Sequence, residues 1–178
     1  MVKFGLLGAF AIACSLHAAV QDQSDAGFII KVDLQIQAPP QQVYAKLVTN
    51  VGDWWNSKHT FSGDAHDLTI DDKPMGCFCE RRKNAAGGVR HMEVINVEYG
   101  KTLVMSGAIG PLQPMPLAAV MSIQLKPAAA EATALSVTYQ VGGYQPHGLT
   151  SLAPIVDSVV TEQFTRLKSY VETGKPEK

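Results

Sequence analysis

A run of apolar residues near the end of the chain constrains everything before it. Leu152, Val156, Val159, Val160, Phe164, Leu167 and Val171 recur at intervals of three and four. That spacing gathers side chains on one face of an α-helix. Asp157, Ser158, Glu162, Arg166 and Lys168 fall mostly elsewhere on the wheel, and Glu162 precedes Arg166 by four in the favourable order. The pattern predicts a helix over roughly Thr150–Thr173, with Ser151 as N-cap, Pro154 in the first turn, Gly174 as the C-terminal cap and Pro176 beyond it. Such a helix is roughly 36 Å long at about 1.5 Å per residue, and its stripe needs a broad apolar partner. The preceding stretches read mostly as strands, so the partner is a sheet.

The clearest strand lies in Gly27–Gln37. From Ile30 onward, Ile30, Val32, Leu34 and Ile36 alternate with Lys31, Asp33, Gln35 and Gln37, as in a strand buried on one face. Ala38-Pro39-Pro40 stops it and opens a helix whose stripe is Val43, Tyr44, Leu47 and Val48. Val51–Asn56 reads as a second short helix or turn and holds both tryptophans. Strands follow near Leu68–Ile70, from Gly76 to Glu80, from Val89 to Tyr99 and from Thr102 to Ser106. Asn84–Gly88 is the hairpin turn between the second and third of these. After the proline-bearing loop Gly110–Pro116, the last two strands span Leu117–Leu125 and Ala134–Val141. A strand, two short helices, about six further strands and one long helix make an α+β chain. Its natural closure is a helix-grip, a curved antiparallel sheet wrapped around the long C-terminal helix. The 178 residues, 46% hydrophobic and 17% charged, suit a single domain with a real core. With a formal net charge of −1 and no basic patch, nucleic-acid binding is not expected.

Residues 1–19 stand apart. Lys3 precedes the apolar run Phe4–Leu16, and Ser15-Leu16-His17-Ala18-Ala19 offers small residues for cleavage after Ala18 or Ala19. This is the layout of a secretory signal peptide, too short to span a bilayer well. The alternatives are a buried first helix and a lipoprotein box, Ala11-Ile12-Ala13-Cys14, with Cys14 lipidated. On the signal-peptide reading the protein is periplasmic or secreted, residues 20–26 are a short flexible N-terminus, residues 27–174 form the domain and residues 175–178 are a tail. The mature chain keeps Cys77 and Cys79. Strand geometry sends both to one face with their Cα atoms near the upper limit for bridging, so packing cysteines are expected rather than a disulfide. His91 lies on the opposing strand and could complete a Cys-Cys-His cluster. A C-x-C spacing with three ligands falls short of a zinc site, and no metal or other cofactor is expected.

Several stretches together resemble the START/Bet v 1-like superfamily, also called SRPBCC. They are Ala38-Pro39-Pro40-Gln41-Gln42-Val43-Tyr44-Ala45-Lys46-Leu47, the tryptophans after it, Glu80 following an aromatic strand position, and the terminal amphipathic helix. Gly76-Cys77-Phe78-Cys79-Glu80, His91-Met92, Gly110-Pro111-Leu112-Gln113 and Gly142-Gly143-Tyr144 resemble an exported subgroup near its polyketide-cyclase and Hsp90-activator-like branch. The resemblance covers about residues 27–172 and implies the helix-grip fold. The superfamily holds lipid carriers, hormone receptors, cyclases and cochaperones, so fold alone does not choose a function.

No nucleotide loop, zincin helix or nucleophile elbow is present in the sequence. If Phe78 points inward, Glu80 does too, and a carboxyl in an apolar cavity would have a raised pKa. His59 and His91 are candidate hydrogen-bonding groups or bases. Trp54, Trp55, Phe61, Tyr139 and Tyr144 are candidate cavity walls, and methionines such as Met105 supply adaptable surface. The candidate ligand-binding set is Trp54, Trp55, His59, Phe61, Glu80, Met105, Tyr139 and Tyr144, with Trp54–Phe61 and Gly110–Pro116 at the mouth. A straight helix on a curved sheet should leave the gap toward one end. The leading expectation is a non-enzymatic binder of a small apolar or lipid-like ligand. The alternatives are a cyclase- or hydrolase-type enzyme using Glu80 and a histidine, and a protein-interaction or stress module. No membrane span is expected.

Overall fold

Alternation in the strand after Gly27 builds the centre of the fold. A computed structural model describes residues 17–82, 87–128 and 131–177. In it β2 (Gly27–Ile36) buries Phe28, Ile30, Val32, Leu34 and Ile36 on one face. It is flanked by β1 (His17–Ser24) and β8 (Ala132–Gly143). The intervening strands are β3 (Leu68–Ile70), β4 (Cys77–Arg81), β5 (Gly88–Glu98), β6 (Thr102–Ser106) and β7 (Leu117–Ala128). All eight form one antiparallel sheet in the order β1-β2-β8-β7-β6-β5-β4-β3. Ladder irregularities in the β1–β2, β4–β5 and β5–β6 pairings fall at Val20/Asp22, Phe78/Cys79 and Val94/Asn96. Such irregularities bend a sheet and raise its local twist.

The helices cover one face. α1 (Pro40–Thr49) buries Val43, Tyr44, Leu47 and Val48, the stripe its sequence predicts, and α2 (Val51–Trp54) follows at once. α3 (Ala153–Thr173) buries Val156, Val160, Phe164, Leu167 and Val171 and packs on β2 and β1 and on α1 and α2. Gly174 terminates it in the left-handed conformation at φ 77°, donating its N–H to the Tyr170 carbonyl. This is an α+β helix-grip. Among the described residues no helix is long and apolar enough to cross a membrane.

Four expectations change. Residues 20–26 were expected to be flexible, yet β1 occupies His17–Ser24 and pairs with β2, giving one strand more than the sequence reading. Gln21-Asp22-Gln23-Ser24 has no apolar alternation; the ladder to β2 makes it a strand. α3 begins at Ala153 rather than Thr150, and its N-cap is Leu152 with no side-chain cap, so Ser151 does not play that part. β7 and β8 are each longer than their apolar cores, because their pairing continues through Lys126↔Ala134 to Ala128↔Ala132. Finally, Cys77 and Cys79 form a disulfide, with their Cα atoms 5.4 Å apart. The irregularity between Phe78 and Cys79 shortens the span that a regular strand would impose, which brings the pair within bridging reach. Residues 1–16, with Cys14, and most of the Asn84–Gly88 turn lie outside the described residues.

Candidate functional site

The inner face of the sheet and α3 diverge toward the N-terminal end of the helix. There a cavity of about 270 Å³ opens, with an aromatic wall and an aliphatic wall. Trp55, Phe78, His91 and Phe61 make the first. Their rings run in a chain, with centroids 5.2 Å apart for Trp55–Phe78, 5.0 Å for Phe78–His91 and 5.9 Å for Phe61–His91. Ile109, Leu112, Val156 and Val159 make the second, and Ile155, 60% exposed, stands at its edge. Lys58, His59 and Thr60 on one side and Gly110 and Pro111 on the other form the rim. Both segments expected at the mouth, Trp54–Phe61 and Gly110–Pro116, contribute residues to this lining.

Each rim is held in its own way. The 3₁₀ turn Ser57–His59 is tied to α3: His59 Nε2 lies 3.0 Å from Glu162 Oε2, Asn56 Nδ2 donates to Glu162 Oε1, and the Asn56 N–H donates to Gln163 Oε1 at 2.8 Å. Burial pushes the Glu162 carboxyl up, but the bonds from Asn56 and His59 and the nearby Arg166 charge outweigh it and hold the pKa below its ordinary value. On the other side the Tyr139 hydroxyl accepts from the Ile109 N–H at 3.2 Å and donates to the Gly107 carbonyl at 3.3 Å. Tyr139 is fully buried, and its pKa is pushed up to about 12 chiefly by that burial. Gly107 has φ 151°, and a side chain there would collide with the His91 carbonyl, 2.4 Å from an ideal Cβ.

Behind the aromatic wall is a buried hydrogen-bonded couple. His91 Nε2 lies 2.9 Å from Glu80 Oε2, with side chains 5% and 0% exposed. The other Glu80 oxygen accepts from the Ser62 N–H. Desolvation alone would raise the Glu80 pKa, as the sequence reading expects. Hydrogen bonds from the Phe61 and Ser62 backbone, the Ser62 side chain and His91 overcome it, and the pKa falls below the ordinary value. Burial lowers His91, against the raising effect of Glu80. The pair at neutral pH is therefore a carboxylate and a neutral imidazole whose proton sits on Nε2, as the Glu80 acceptor requires.

Of the eight candidates, Trp55, His59 and Phe61 line the cavity. Glu80 stands one residue behind it, through His91. Trp54 is buried against Phe164, 6.1 Å between ring centroids, and its Nε1–H is shared between the Lys46 and Leu47 carbonyls at the end of α1. Met105 is in the core of β6, opposite Met121. Tyr139 supports the wall without facing the cavity, and Tyr144 is 70% exposed beyond β8. Outside the set of eight are Phe78, the α3 residues Val156 and Val159, and His91, which the sequence offers with His59 as a hydrogen-bonding group or base. The considered Cys-Cys-His cluster does not form. The cysteines alternate with inward-facing Phe78 and Glu80 and are bonded to each other, whereas His91 is on the cavity side.

No family model matches the sequence, and no curated protein matches it. Solved structures do. EF2215 from Enterococcus faecalis, a conserved protein of unknown function, is 15% identical with a TM-score of 0.59 over 91% of this chain and 80% of that one. CalU16 from Micromonospora echinospora is 12% identical with a TM-score of 0.57 over 92% of this chain and 87% of that one. DynU16, a putative protein in the dynemicin biosynthetic locus, is 18% identical with a TM-score of 0.55 over 83% of this chain and 48% of its own. At such identities the likeness is one of fold.

Proposed function

We propose that the protein is an exported, non-enzymatic binder of a small apolar molecule, of the SRPBCC type. The observation that carries this reading is the cavity between α3 and the sheet, with apolar walls and polar groups gathered at one inner position and at the rim. Its volume of about 270 Å³ lies just below the roughly 300–1,000 Å³ of small-molecule sites and suits a small guest. Export rests on the Lys3 and Phe4–Leu16 layout. The Cys77–Cys79 disulfide supports it, because such bonds persist in oxidising compartments.

The Glu80–His91 pair favours a second reading, a cyclase- or hydrolase-type enzyme, since a carboxylate-oriented imidazole is what a general base requires. Binding ranks first because the lining is chiefly apolar and its other polar side chains, Lys58, His59 and Thr60, stand at the rim, whereas His91 is buried in the aromatic wall. Native mass spectrometry of protein from its own source separates the readings. A retained apolar ligand is expected, and the isolated protein should bind an apolar probe dye with a shift in tryptophan fluorescence. A cavity that takes up no apolar probe, together with a co-purified protein, would overturn the binding reading in favour of a protein-interaction module. Intact mass should place the mature N-terminus at Ala19 or Val20. A full-length form refutes export by signal peptide, and a lipid-modified Cys14 selects the lipoprotein alternative.

A further inference from the structure

His91 differs from every other polar residue of the cavity. Lys58, His59 and Thr60 are exposed or half-exposed at the rim, whereas His91 is 5% exposed and set among Trp55, Phe61 and Phe78. Its Nε2 is committed to Glu80, which is itself held by the Phe61–Ser62 backbone. No described residue makes a hydrogen bond to Nδ1, and the ring is part of the cavity lining. With the Nε2 proton directed at Glu80, Nδ1 carries a lone pair and is an acceptor. A wholly apolar occupant would leave that acceptor buried and unpaired, at a cost comparable to a lost hydrogen bond. An occupant presenting a carbonyl, ether or carboxylate oxygen would set lone pair against lone pair. A hydroxyl supplies the missing proton.

We propose that the cavity selects ring-bearing apolar molecules that carry a hydroxyl group, with His91 Nδ1 as the acceptor for that hydroxyl. The chain of rings from Trp55 to Phe61 gives a flat molecule faces and edges to lie against. Glu80 acts here as a positioning residue, because it fixes which nitrogen carries the proton and how the ring is turned. The inference rests on the binding reading above and specifies the chemistry of the same site.

The test compares three probes of one shape: naphthalene, 2-methoxynaphthalene and 2-naphthol. Titration of the folded wild-type protein should give 2-naphthol about a tenfold tighter dissociation constant than the other two, the worth of one net hydrogen bond. His91→Phe should equalise the three. In case that change unsettles Glu80 and the fold, the wild-type protein carries a second readout. The ¹⁵N resonances of His91 should report the Nε2–H form, and the Nδ1 signal should move with 2-naphthol and stay with 2-methoxynaphthalene. Equal affinities for all three probes with an unmoved Nδ1 signal overturn the hydroxyl inference and leave the binding reading standing. Failure of all three to bind overturns the binding reading and this inference with it.

Discussion

The two halves of α3 meet the sheet differently. Phe164, Leu167 and Val171 in the C-terminal half are buried against β2, α1 and α2. In the N-terminal half Val156 and Val159 face open volume, and Ile155 is largely exposed. One helix with one continuous stripe thus closes a core at one end and roofs a cavity at the other. The stripe alone does not distinguish the two. The ladder irregularities of β4 and β5 lie in the part of the sheet that carries the cavity wall residues Phe78 and His91, and such irregularities bend a strand and raise its twist.

The largest expected effect is at the packed end. Phe164→Ala should cost about 3–5 kcal/mol in urea denaturation, the range for deleting a packed ring. Ile155→Ala should stay within about 1 kcal/mol, as an exposed position does. Equal losses at the two sites would end the distinction drawn above. A Cys77→Ser Cys79→Ser double variant should lose about 1.5–2 kcal/mol, because a cross-link this short removes little chain entropy. Its effect on probe binding should be larger than on melting, since Phe78 lies between the two cysteines in the chain and forms part of the cavity wall.

Acid should weaken the cavity end first. The folded pKa of His91 lies below the ordinary 6.5, so the unfolded chain takes up that proton earlier as pH falls. Stability should decline from about pH 6.5 downward with a slope of at most about 1.4 kcal/mol per pH unit for one proton. The depressed Glu80 carboxyl adds a loss in the same direction below its ordinary 4.5. A flat denaturation midpoint between pH 7 and pH 5 would contradict this account of the pair. A change in stability as small as that of Ile155→Ala is expected for Val159→Phe. If the space is open, it should shift stability by less than about 1 kcal/mol while abolishing probe binding. A filled core would resist the added ring by about 1–3 kcal/mol.

What was legible in the sequence followed from regular periodicity. Ile30 to Ile36, Val43 to Val48 and Val156 to Val171 each gave element and buried face together. The site was legible only in part, since its decisive residues sit where periodicity breaks. His91 and Met92 are adjacent on β5 and both buried, which simple alternation forbids. Glu80 was correctly turned inward, but its pKa has the opposite direction to the expected one, because Phe61 and Ser62 come from a loop eighteen residues away whose return to β4 no local pattern records. Residue type alone points to Trp54 and Tyr139 as cavity walls and to Met105 as adaptable cavity surface, whereas all three are core residues outside the lining. Type does not say which side of a core an aromatic serves.

The unequal fastening of the two rims bears on how quickly a guest arrives and leaves. The Gly107–Ile109 side is anchored through Tyr139 to a strand in the middle of the sheet, whereas the Ser57–His59 side hangs from α3 by contacts at Glu162 and Gln163. Opening on the second side breaks a few part-buried side-chain bonds to α3 and leaves the ladder intact. Traffic should therefore pass there, and residence time should be governed by how often that turn lets go. Cutting the tether with Glu162→Ala should hasten association and release together and leave their ratio nearly unchanged, so that the same guest is held equally well for a shorter time.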